Sequence, residues 1–81
     1  MFVNIGGDLS VRDNSIVGVF DLEKARQSKR SRTFLARAET DGSVVEVGDE
    51  PKAFVLTQEY GLERVYLTQL NAATIERRVK G

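Results

Sequence analysis

The stretch Ser15-Ile16-Val17-Gly18-Val19-Phe20-Asp21-Leu22-Glu23-Lys24-Ala25-Arg26 decides the fold, because its residue pattern changes from strand to helix partway along. Up to Phe20 the residues are β-branched and aromatic and read as a buried strand. Gly18 within it marks a bulge or a close backbone approach. At Asp21 a carboxylate is placed to accept from the unpaired amides of a helical turn running through Leu22 to Arg26. A second cap, Ser28, opens clearer helical character that continues to about Glu39. At 100° per residue, Ser31, Phe34, Leu35 and Ala38 gather on one face, and that face must pack on a sheet. Thr40-Asp41-Gly42 ends this helix, with Gly42 suited to the left-handed C-terminal position.

Toward the N-terminus, Phe2 to Ile5 reads as a short strand closed by Gly6-Gly7-Asp8, which supplies the positive φ angles of a tight hairpin. Leu9-Ser10-Val11-Arg12 alternates apolar with polar, as a half-buried strand does, and Asp13-Asn14 turns the chain into the next one. Toward the C-terminus, Ser43 to Val47 is a strand and Gly48-Asp49-Glu50-Pro51 a turn. Ala53 to Thr57 is a strand apolar on both faces, Glu59 to Glu63 a turn, and Arg64 to Thr68 a strand. Asn71 then caps a short helix with Ala72, Ile75 and Val79 on one side. The sum is a small α+β single domain spanning residues 1–81. It has about six short, mostly antiparallel strands, one middle helix and one short C-terminal helix.

The chain has 81 residues and a mass of 9.0 kDa, enough for one core. It contains no His and no Cys. That excludes the Ser-His-Asp triad, a thiol nucleophile, zinc sites of imidazole or thiolate type, and a disulfide-stapled secreted scaffold. Catalysis would rest on carboxylates, lysines or hydroxyls, and no paired placement argues for it, so no enzyme is expected. No cofactor is expected either: Asn4-Ile5-Gly6-Gly7-Asp8 lacks the remaining glycines of a dinucleotide fingerprint and reads as a hairpin turn. Glu46, Asp49 and Glu50 have the chemistry for a divalent cation but read as solvated acids, and no metal site is expected. Tyr60 and Tyr66 suit either base stacking or the core. No small-molecule substrate is inferred. The N-terminus has no basic, apolar leader pattern, and no stretch approaches a membrane span, so a cytoplasmic protein without membrane contact is expected. A domain this small, without a staple, also makes self-association an expectation.

Twelve Lys and Arg balance twelve Asp and Glu, yet the charges are segregated along the chain. From Lys24 to Arg37 there are six cations, Lys24, Arg26, Lys29, Arg30, Arg32 and Arg37, and no acid. From Glu39 to Glu63 seven acids face Lys52 alone, a net of six negative charges. Helical spacing puts Arg26, Arg30 and Arg37 along one flank of the apolar face, with Lys29 and Arg32 pointing away from it. One reading is a helix that tracks a nucleic-acid backbone, Arg being favoured because its planar fork matches phosphate. The other is a solvated face compensated by the acidic region, in the same chain or in a neighbouring subunit.

Several features together resemble the bacterial extracellular-matrix regulators, the RemA and RemB family. They are Phe2-Val3-Asn4-Ile5-Gly6-Gly7-Asp8, Asp13-Asn14-Ser15-Ile16-Val17-Gly18-Val19-Phe20-Asp21, Pro51-Lys52-Ala53-Phe54-Val55-Leu56-Thr57, and the ending from Tyr66-Leu67-Thr68 to Lys80. Length and order match across essentially the whole chain. Ile16 to Asp21 and the Pro51-Lys52 lead into the strand are most similar to the RemB branch. The resemblance implies a transcription regulator of biofilm-matrix genes that binds double-stranded DNA as a ring-like homo-oligomer. In the RemA branch, arginines in the turn before the third strand and in the turn before the strand near Ala53 are tied to DNA binding. Here Asn14 stands at the first place, with Arg12 two residues earlier. Asp49 and Glu50 stand at the second, where only Lys52 keeps a positive charge. The candidate DNA-binding residues are therefore Arg12, Arg26, Lys29, Arg30, Arg32, Arg37 and Lys52. The rival reading is an oligomeric module without DNA contact, its basic helix docked on the acidic strand-turn region of a neighbour.

Overall fold

The computed structural model describes all residues, Met1–Gly81. Strands β1 (Phe2–Gly6) and β2 (Leu9–Arg12) form an antiparallel hairpin, and a 3-10 turn at Asp13–Ser15 leads to β3 (Ile16–Asp21). Helices α1 (Leu22–Arg26) and α2 (Lys29–Thr40) follow, then β4 (Val44–Val47), β5 (Ala53–Glu59), β6 (Leu62–Thr68) and α3 (Ala72–Lys80). The main sheet has the order β3-β5-β6-β4.

The capping chemistry legible in the sequence is in place. The Asp21 carboxylate accepts from the Lys24 amide at 3.0 Å, the Ser28 hydroxyl from the Ser31 amide at 3.4 Å, and Asn71 from the Thr74 amide at 2.9 Å. The anticipated irregularity at Gly18 is there too: the β3–β5 register shifts between Ile16 and Gly18. A Cβ at Gly18 would lie 2.6 Å from the Phe20 ring, so the glycine lets that ring lie back along its own strand.

Three details differ from the sequence reading. The middle helix is two helices broken at Gln27-Ser28, so Arg26 ends α1 and does not share the α2 surface. β4 pairs with β6 in parallel, because α1 and α2 carry the chain across the sheet and deliver β4 beyond β6. β3 and β4 thus flank the β5–β6 hairpin as the two outer strands of a split β-α-β unit. The turn after β5 is also shorter, with β6 starting at Leu62 and only Tyr60-Gly61 unpaired. Both turn residues have positive φ, 54° and 78°, as a two-residue type I′ hairpin needs. Tyrosine does not advertise that conformation, hence the longer turn expected from the sequence.

Alternation along β5 sends Ala53 and Val55 to one face of the sheet and Phe54 and Leu56 to the other. On the first face they meet Val3, Ile5 and Val11 of the hairpin and Ile75 of α3. On the second they meet Leu22 and Ala25 of α1 and Ala38 of α2, with Phe34 and Leu35 packed around them. The hairpin is tied down by Thr68, whose hydroxyl donates to the Ile5 carbonyl at 2.5 Å and accepts from the Leu70 amide at 3.2 Å. Gly6, at φ 134°, passes so close that a Cβ there would lie 2.6 Å from that hydroxyl. From α3, Arg78 donates to the backbone and side-chain oxygens of Asn4 at 3.1 and 3.0 Å.

Candidate nucleic-acid interface

The basic block is displayed by α1 and α2 on the outer surface of the second face. Every one of its six cations is exposed, and none forms an ion pair within the chain. The chain's two ion pairs lie elsewhere: the N-terminal amine with Asp13 at 3.5 Å, and Arg12 with Glu59 at 3.7 Å. No acid of the acidic block forms an ion pair with the basic one, although Glu39 borders the same depression as Arg26 and Arg32.

The local geometry divides the candidates into four groups. Lys29, Arg30, Thr33 and Arg37 border a shallow depression against Phe34, and together they make a basic ridge along α2. Lys29 and Arg30 occupy the first turn of that helix, where the dipole favours acids, and α2 has no acid in its first turn. Nothing in the packing of this subunit repays that placement. Arg32 projects the other way. Its Nη1 donates to the Arg26 carbonyl at 2.6 Å, capping the end of α1 and holding the α1–α2 corner. Arg26 and Arg32 border a separate depression toward Leu35 and Val44. Lys52 lies before β5; its backbone is engaged by Leu22 and Thr68, while its side chain is exposed near the start of α1. Arg12 lies over the Phe2 ring at 5.9 Å and against Glu59, on the hairpin side of the sheet. Asn14 is exposed in the 3-10 turn, Asp49 and Glu50 are exposed ahead of β5, and Glu46 does not form a three-carboxylate cluster with them.

The two tyrosines separate cleanly. Tyr66 is a core residue of the hairpin face, whereas Tyr60 is 87% exposed at the tip of the β5–β6 hairpin. Sequence spacing also did not single out Arg78, because its partner Asn4 is 74 residues away in the chain. No helix is long and apolar enough to cross a membrane.

The family model described as RemA-like, extracellular matrix regulatory protein A-like, matches residues 2–79. The chain belongs to the RemA-like family. Within the reach of this family, the extracellular matrix regulatory protein B of Bacillus subtilis (strain 168) is 30% identical over 80 residues, which covers 99% of this chain and 91% of that protein. In this chain Lys24, Arg26, Lys29, Arg30, Arg32 and Arg37 on α1 and α2 form the longest run of cations outside ion pairs, with Lys52, Arg64 and, on α3, Arg77, Arg78 and Lys80 carrying the rest.

Proposed function

We propose that this RemA-like protein is a transcription regulator of extracellular-matrix genes that acts at double-stranded DNA as a homo-oligomer in the cytoplasm, in a binding and not a catalytic role. The ridge of α2 lies along the phosphate backbone, with Lys29 and Arg37 making the outer contacts, Thr33 between them and Arg30 at the inner border. The observation that carries this reading is that the whole basic block is exposed and unpaired, with cations even at the helix end where the dipole opposes them. Such groups keep their full attraction for phosphate, and neutralising each phosphate releases counterions. The balanced net charge of one subunit makes a single contact weak, and several subunits on one duplex raise it through effective concentration.

The test is duplex binding across a salt series from about 50 to about 200 mM, a range over which phosphate-driven binding weakens steeply. Lys29→Ala and Arg37→Ala should each weaken binding uniformly across sequences and lower the salt slope by about 1. No affinity at the lowest salt, or slopes unchanged by both substitutions, overturns the proposal.

A further inference from the structure

Both tyrosines of the chain border one cleft of about 260 Å³, between the β1–β2 hairpin and the tip of the β5–β6 hairpin. Tyr66 is only 8% exposed and its hydroxyl makes no hydrogen bond within the chain, yet no buried polar side-chain atom of the chain is sealed off without a partner. The hydroxyl therefore opens into the cleft. A buried tyrosine ordinarily has a protein partner for its hydroxyl, and this one is left for something that enters from outside. The register of β5 on β6 sets Thr57 opposite Arg64, and Tyr66, two residues on, shares their face. The Thr57 hydroxyl donates to the Arg64 carbonyl at 3.4 Å and keeps its lone pairs free. Arg64 is exposed and in no ion pair.

Around this polar floor stand exposed rings. Phe2, Tyr60 and Leu62, three of the largest exposed apolar side chains, all line the same cleft. Tyr60 is the one non-glycine residue with a positive φ, where Asn or Gly would turn the chain without strain. A second cation, Arg12, lies over the Phe2 ring at 5.9 Å, with Glu59 3.7 Å away. That ion pair is long and exposed on both sides, so it holds its members weakly and each is free to turn to a ligand. The lining comes from residues 2–15 and 57–66, the two halves of the chain, and no local pattern in the sequence joins them.

We propose that this cleft binds a free mononucleotide, its phosphate on Arg64 and the Thr57 and Tyr66 hydroxyls and its base against Phe2 and Tyr60. Two guanidinium groups against one carboxylate select an anion, and their planar forks match phosphate oxygens. A bare anion would leave the rings unused. A purely apolar ligand would strip water from Arg64 and the Tyr66 hydroxyl and offer nothing in return. The ligand must therefore carry both a charged head and a flat ring, and nucleobases stack on aromatic side chains whatever their identity. Glu59 accepts hydrogen bonds only, so it favours a ring with amino groups, which most nucleobases carry and benzoate-like acids lack. A cavity of about 150 Å³ takes a benzene-sized ring, so the cleft has room for a ring and a head group, the ribose lying at its open side. The cleft is on the hairpin face, whereas the ridge of Lys29 and Arg37 is on the helical face. The inference is thus independent of duplex binding and of assembly.

The experiment is calorimetric titration of the full chain with AMP and GMP, with ribose 5-phosphate and inorganic phosphate as probes that lack the base. Tyrosine ring signals in NMR spectra locate the site, because the chain has only two tyrosines and both line the cleft. At least one nucleotide should bind with a Kd below about 1 mM and shift both tyrosines, and the probes without a base should bind about tenfold more weakly. Arg64→Ala should weaken nucleotide binding about tenfold. Tyr66→Phe should weaken it about threefold and leave the thermal midpoint in place, since the lost hydroxyl has no partner within the chain. Tyr60→Asn should weaken the nucleotide and leave ribose 5-phosphate unaffected. Lys29→Ala and Arg37→Ala should change none of these values, which keeps a failure of the cleft distinct from a failure of the ridge. Absence of saturable nucleotide binding below about 1 mM overturns the proposal, as does binding that is indifferent to both Arg64→Ala and Tyr66→Phe. Equal affinity for ribose 5-phosphate and the nucleotides reduces the cleft to a phosphate site and overturns the role given to the rings.

Discussion

The two faces of the main sheet are built from alternate residues of the same strands, yet they end differently. On the hairpin face Ile5, Ala53, Val55, Thr68 and Ile75 are all fully buried, and side-chain hydrogen bonds from Thr68 and Arg78 lock the covering layers in place. On the helical face only Leu22 and Val65 reach that state, while Phe34, Leu35, Leu56 and Leu67 stay half-buried and no cation above them is in an ion pair. A domain of this size has too little chain to close both faces. It closes one for stability and leaves the other relief, rings and charge with which to meet partners.

The sharpest way to break this contrast is to truncate one apolar side chain on each face. Ile75→Ala removes a fully buried side chain between α3, the hairpin and β5, and should cost about 2 to 5 kcal/mol in urea unfolding. Against a total stability of about 5 to 15 kcal/mol, that brings the protein close to unfolding. Phe34→Ala removes a larger side chain but should cost only about 1 to 2 kcal/mol, because much of its ring is already in contact with water. Equal losses for the two variants would mean that the helical face carries as much of the core as the hairpin face.

A second test concerns how the closed face is closed. Thr68→Val keeps the shape of the side chain but leaves the Ile5 carbonyl and the Leu70 amide without their partner, and should cost about 1 to 3 kcal/mol. The loss should appear first as faster amide exchange in β1 and β2, because Thr68 is the bond that fastens the hairpin to β6. Unchanged exchange there would show that apolar packing alone holds the layer.

Much of this was legible in advance. Caps, turns and alternation are local signals, so Asp21, Ser28, Asn71, the Gly6-Gly7 turn and the bulge at Gly18 could each be read from neighbours in the chain. The parallel pairing of β4 with β6 depends on where a crossover lands, and no local pattern encodes that. Tyr60 was hidden for a different reason: its conformation runs against the preference of its residue type, and only the register Glu59↔Leu62 forces it. The charge segregation was plain in the sequence, but not its division. Arg26, Arg30 and Arg37 fit one helical flank only if the helix is continuous, and the break at Gln27-Ser28 moves Arg26 away from the other two.

The smallest expected effect tests that division most directly. Arg32 and Arg37 are both exposed cations on α2, five residues apart, and composition treats them alike. The structure gives Arg32 to the carbonyl of Arg26 and leaves Arg37 on the ridge. Arg32→Ala should therefore lower stability by less than about 1 kcal/mol, the net worth of one solvent-exposed hydrogen bond, and leave the salt slope of duplex binding unchanged. Arg37→Ala should do the reverse, leaving the urea midpoint in place and reducing the slope. If Arg32→Ala instead reduces the slope as much as Arg37→Ala, then Arg32 gives up the α1 carbonyl when DNA binds. The basic surface would then extend around the helix as a whole and not along one ridge.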